Sequence, residues 1–88
     1  MKRNRYRRLS GYPVKVRWLD STRVLNGWAP ASDYLGRTSA PTRAVTVGLM
    51  VPSPADRIIV ALSWSDRGHW CDAMSIPMSA VRSVRRLK

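Results

Sequence analysis

Residues 43–65 read RAVTVGLMVPSPADRIIVALSWS, and the fold turns on how this stretch is arranged. Val45, Val47, Leu49 and Val51 share one parity, and Ile58, Val60, Leu62 and Trp64 share another after a break. A period of two marks an extended strand with one apolar face. Pro52 and Pro54 interrupt the pattern and remove two backbone donors, so the intervening six residues are a turn. Folding back over them predicts a hairpin with Val51 opposite Ile58, Leu49 opposite Val60, Val47 opposite Leu62 and Val45 opposite Trp64. All eight side chains then share the buried face, and a slip of one residue would turn half of them to water.

The chain has 88 residues, the size of one domain. Such a domain buries only about 60 to 65% of its unfolded surface, so its stability margin is thin. A single cysteine, Cys71, gives no internal disulfide and favours a reducing compartment. No apolar run approaches the roughly 20 residues of a membrane span. The basic N-terminus lacks the apolar stretch of a secretory signal, which places the expected start of the mature chain at Met1 and its home in a cytoplasm. Glu, Gln and Phe are absent, and the Val, Thr, Ile and Trp content favours pleated structure. Sixteen Lys and Arg against five Asp give a net charge of +11, so a polyanion is the expected partner.

Residues 1–10 are expected to be a basic, flexible arm, with residues 11–88 forming a single small β-barrel domain. Lys2, Arg3, Arg5, Arg7 and Arg8 repel one another in the arm and would order against phosphates, with Tyr6 free to stack. Val14, Val16 and Trp18 alternate with Lys15 and Arg17, predicting a first strand with its cations on the outer face. Between Leu19 and Arg37 the pattern is irregular. Asn26-Gly27 predicts a tight turn, and residues 31–35 predict one helical turn that caps an open end of the sheet with Leu35 and Trp28 packed downward. Residues 38–42 read as loop. Residues 66–69 predict a turn before a strand over 70–76, whose alternation is weak and does not fix an inward face, and Pro77 ends that strand. Residues 78–80 turn into a last segment in which Val81, Val84 and Leu87 suit a helix and a short strand suits a small barrel; the strand is favoured because the sheet needs a closing edge.

The order Val14-x-Val16-x-Trp18-x-Asp20-Ser21, then Gly27-Trp28, then Val47-Gly48-Leu49, then Ile76-Pro77 followed by Val81 resembles a group of small uncharacterised phage and prophage proteins, over roughly residues 14–87. A long bent hairpin, a further strand, a short turn and a last short strand also look like SH3-like and Sm-like barrels. The resemblance implies a small β-barrel in a bacterial host's cytoplasm or in a virion, and no activity. The basic arm precedes the shared region and the acids usual around the short helix are missing, so whatever the arm does belongs to this chain alone.

Few constellations carry chemistry. His69-Trp70-Cys71-Asp72 gathers three ligand types, but one His and one Cys fall short of a zinc set, and strand alternation puts Asp72 opposite the other two. Nucleophilic catalysis would need His69 beside Cys71 or a Ser, which spacing does not establish. Single glycines make no phosphate loop. The reading is therefore a binding module, not an enzyme, without cofactor, metal or membrane association. Its nucleic-acid contacts are assigned to the arm, to Lys15 and Arg17 on the sheet, and to Arg82, Arg85, Arg86 and Lys88 near the C-terminus, with Tyr6, Trp28 and Trp70 as stacking residues. Trp18 and Trp64 carry core parity. Two alternatives stand beside it: an oligomeric protein that blocks a host protein or captures an anionic nucleotide, and a structural virion component.

Overall fold

The computed structural model describes residues 2–20, 28, 30–32 and 42–88. Their strands are β1 (Pro13–Asp20), β2 (Thr42–Val51), β3 (Arg57–Trp64), β4 (Trp70–Pro77) and β5 (Val81–Arg86), all antiparallel in one unclosed sheet of order β4-β3-β2-β1-β5. Two 3-10 turns complete the set, Arg7–Leu9 before β1 and Met78–Ala80 before β5. The mostly β architecture expected from composition is thus what the chain adopts. The expected turns at residues 66–69 and 78–80 are present, and the last segment is a strand.

Val14, Val16, Met50, Ile58, Val60 and Ile76 form the buried core, with Tyr6, Leu9, Trp18, Met78, Ala80, Val81 and Val84 packed against it. Val14 and Val16 point inward as the alternation of β1 predicts. The central hairpin does not follow its prediction. Leu49 pairs with Ala61, Met50 with Val60 and Val51 with Ile59, one residue away from the expected register. The rest of β2 pairs with β1, putting Val47 beside Lys15 and Val45 beside Arg17. Val45, Val47, Leu62 and Trp64, four of the eight expected core residues, are each more than half exposed.

Two causes set this register. Ser53 Oγ donates to Val51 O at 2.6 Å and accepts from Ile59 N at 3.0 Å, closing the ladder one residue further along β3 than parity suggests. The inward face of β2 is also fixed by its other neighbour, because Val14 pairs with Gly48 and Val16 with Thr46. That face carries Gly48, where a Cβ would come within 2.6 Å of Ala61 O and of Val60 Cγ1. A row of valines has no room in so close a crossing.

The N-terminal segment is anchored, contrary to the expectation of a free arm. Asn4 is buried. Its Nδ2 donates to Pro54 O at 2.6 Å and Arg57 O at 2.8 Å, and its Oδ1 accepts from Tyr6 N at 2.8 Å. Tyr6 is half-buried and packs against the core. Asn4→Ala leaves two carbonyls without their donor. It is expected to cost about 2 kcal/mol and to lower the melting temperature by roughly 8 to 16 °C in a circular-dichroism melt. Removing residues 1–3 should leave the melt in place, since Lys2 and Arg3 are exposed. A melt that moves with that truncation and ignores Asn4→Ala would show the anchor to be misassigned.

Ala31 and Ser32 are helical, while residues 33–35 of the expected turn, Leu35 included, and the Asn26-Gly27 turn lie outside the described residues. Trp28 is fully exposed, so it does not pack downward as a cap. Of the expected loop over 38–42, Thr42 belongs to β2 and residues 38–41 lie outside the described residues.

Candidate nucleic-acid interface

Alternation on β1 turns Lys15 and Arg17 to the face opposite Val14 and Val16, and the pairings decide what stands beside them. Lys15 lies between Val47 of β2 and Arg85 of β5, and Arg17 between Val45 and Ser83. Two cations directly opposite each other on neighbouring strands destabilise a sheet unless an anion is shared between them. Among the described residues no acid is paired with them. Among the described residues the one ion pair is Arg57 with Asp56 at 3.6 Å, exposed, away from this face and worth little.

The β1/β5 register shifts between Arg17 and Trp18, where Arg17 meets Ser83 but Trp18 meets Val81. Arg82 is therefore the extra residue of a β-bulge, a device that re-aims a side chain at a sheet edge. Its Nη1 donates to Ser79 O at 3.1 Å and Val81 O at 3.3 Å. Two depressions follow. One of about 360 Å³ is lined by Lys15, Arg17, Ser83 and Arg85. The other, of about 380 Å³, is lined by Arg17, Trp18, Leu19, Arg43, Val45 and Arg82. Arg17 belongs to both, so the cations form one track along β1. From Lys15 to Leu19 the track runs about 13 Å at the rise of a strand.

The structure thus brings together Lys15, Arg17, Arg82 and Arg85 of the expected set. Arg86 stands apart: it pairs with Val14, and its guanidinium lies 3.9 Å from the centroid of the Tyr12 ring. Arg5 sits 5.8 Å from the Tyr6 ring, and Arg7 and Arg8 belong to the first 3-10 turn. Lys2, Arg3 and Lys88 are exposed outside any strand. Arg43 is the addition that sequence reasoning missed. Nothing in its neighbourhood sets it apart, and only the pairing of Leu19 with Arg43 brings it to the track. Of the expected stacking residues, Trp28 is exposed, whereas Trp70 is half-buried against Trp64 with ring centroids 6.3 Å apart.

His69, Cys71 and Asp72 are all exposed, and no group of three such residues could hold a metal among those described. Asp72 adopts a left-handed backbone conformation, φ 53°. The neighbouring Asp72 carboxylate favours the neutral Cys71 thiol over the thiolate and pushes that thiol above its ordinary range. A thiol so placed is a weaker nucleophile near neutrality. Asp72→Asn keeps a residue that tolerates this conformation and removes the charge. Alkylation of Cys71 by iodoacetamide at pH 8 should then be faster than in the parent chain. An unchanged or slower rate would show that Asp72 does not govern the thiol.

No family model, curated protein or solved structure matches this chain.

Proposed function

We propose that the chain is a small SH3-like binding module that holds nucleic acid on the cationic face of β1 and β5, with little sequence preference. The observation that carries the reading is the cross-strand pair Lys15/Arg85, two like charges in register with no acid paired to either among the described residues. The barrel reading is supported by the strand order and by the 3-10 turn that precedes β5. Exposed Val45 and Val47 flank the cations, and an apolar surface beside a cationic track suits a single strand, whose bases are open, better than a duplex. Positive charge gives register on the backbone, while few side chains on this face can read base edges.

The test is affinity for two single-stranded oligonucleotides of unrelated sequence, measured by fluorescence anisotropy on the parent chain and on Lys15→Ala/Arg85→Ala. The double variant should bind both roughly tenfold more weakly. Loss confined to one sequence would point to base readout. Undiminished binding would place the contact elsewhere on the molecule. Failure of the parent chain to bind either one would favour a host protein as the partner.

A further inference from the structure

We propose that the cleft at the far end of the track, between Trp18, Leu19, Arg43 and Arg82, is a pocket for one nucleoside phosphate unit. It rests on the preceding reading only through Arg17, which the cleft shares with the track. Arg17, Arg43 and Arg82 line a largely apolar space together with Trp18, Leu19, Ala44 and Val45. That is the composition a nucleoside phosphate demands, with forked donors for the phosphate and an apolar surface for the base and sugar. At about 380 Å³ the cleft is within the range of small-molecule sites, at its lower end.

Two features hold the pocket in shape. Trp18 Nε1 donates to Thr46 Oγ1 at 3.0 Å, which fixes the indole against the core beneath the cleft. Arg82 is held by Nη1 through two backbone carbonyls, so its remaining donors are placed before any ligand arrives. A donor fixed in advance loses less entropy on binding. None of the three arginines has an acidic partner among the described residues. The bulge matters here, because an unbroken register would put Arg82 opposite Trp18 on the inward-facing row instead of at the rim.

The ligand could be a free nucleotide or the nucleotide of a bound strand, and the chemistry recognised is the same. Isothermal titration of the full chain with adenosine 5′-monophosphate, adenosine and inorganic phosphate tests it. The monophosphate should bind at least roughly tenfold more tightly than either fragment, since both halves of the pocket contribute. Arg43→Ala should weaken the monophosphate roughly tenfold. Arg86→Ala removes the same charge on the opposite side of the sheet and should change it by less than about twofold at physiological salt. Equal binding of inorganic phosphate and monophosphate, or equal losses in the two variants, would overturn the pocket. Competition between the monophosphate and a bound oligonucleotide identifies the strand as the source; binding without competition identifies the free nucleotide. Oligonucleotide binding with no monophosphate binding overturns this proposal alone. Monophosphate binding with no oligonucleotide binding keeps the pocket and removes the track.

Discussion

Gly48→Ala is expected to destabilise the domain by about 3 kcal/mol, the upper part of the range for overpacking, and to lower its melting temperature by roughly 12 to 24 °C. The added methyl would sit 2.6 Å from Val60 Cγ1 and 2.6 Å from Ala61 O, with the Ala61 carbonyl carbon at 3.4 Å. A side-chain methyl can rotate away. A backbone oxygen in a paired strand cannot move without disturbing the Leu49/Ala61 pairing beside it. Glycine is required at this position for space, since its backbone is not left-handed. Gly68 supplies the contrast, with φ +77° and nothing within 4 Å of an added Cβ. Gly68→Ala should cost only its backbone strain, about 1 kcal/mol. Because a domain of this size has roughly 4 to 13 kcal/mol in all, the two variants are separable in a thermal melt. Similar melts for both would show that β2 and β3 do not cross closely at Gly48.

The second large effect is on binding. Lys15, Arg17, Arg43, Arg82 and Arg85 lie on the track, five cations able to displace counterions from a strand. A single strand releases about 0.7 counterion per phosphate neutralised, so the slope of log K against log salt is about −3.5. Affinity should then fall roughly a hundredfold between 50 and 200 mM salt. If the five cations of the N-terminal segment also engaged, the slope would double and the loss would approach about ten-thousandfold. The number of participating charges can thus be read from the slope. Anchoring of Asn4 favours the smaller figure, because it ties that segment to the loop between β2 and β3 and leaves it less free to reach a strand bound on β1.

Much of this fold was legible from residue order. β1 and its inward Val14 and Val16 follow from alternation, and the turn at 66–69 and the end of β4 from Asp, Gly and Pro, whereas the closing segment suits a helix by periodicity and is a strand because the sheet needs an edge. The face of β2 was not legible, because both parities are compatible with burial: valines on one, and Ala44, Thr46, Gly48 and Met50 on the other. The choice belongs to Ser53, which shifts the ladder through one hydroxyl, and to the proximity of β3 at Gly48. Neither is a property of periodicity. Asn4 is hidden for a similar reason. In a run of five cations it reads as one more polar residue, yet its amide satisfies two carbonyls some fifty residues away.

The site divides the same way. Lys15 and Arg17 were legible as the outer face of a strand. That Arg85 joins them while Arg86 turns to Tyr12 depends on pairing between β1 and β5, and the place of Arg82 depends on a bulge. Sequence shows two basic segments; only register shows that one residue from each lies side by side. The valines expected in the core instead flank the cations, so the error in the hairpin and the apolar border of the track have one cause.

The measurement that bears most directly on the cationic track is the salt slope of single-strand binding, taken in parallel on the parent chain and on Lys15→Ala/Arg17→Ala/Arg85→Ala. The track predicts a slope of about −3.5 in the parent, falling to about −1.4 when two of its cations remain. A flat response in the parent, or a slope that the three substitutions leave unchanged, would contradict it.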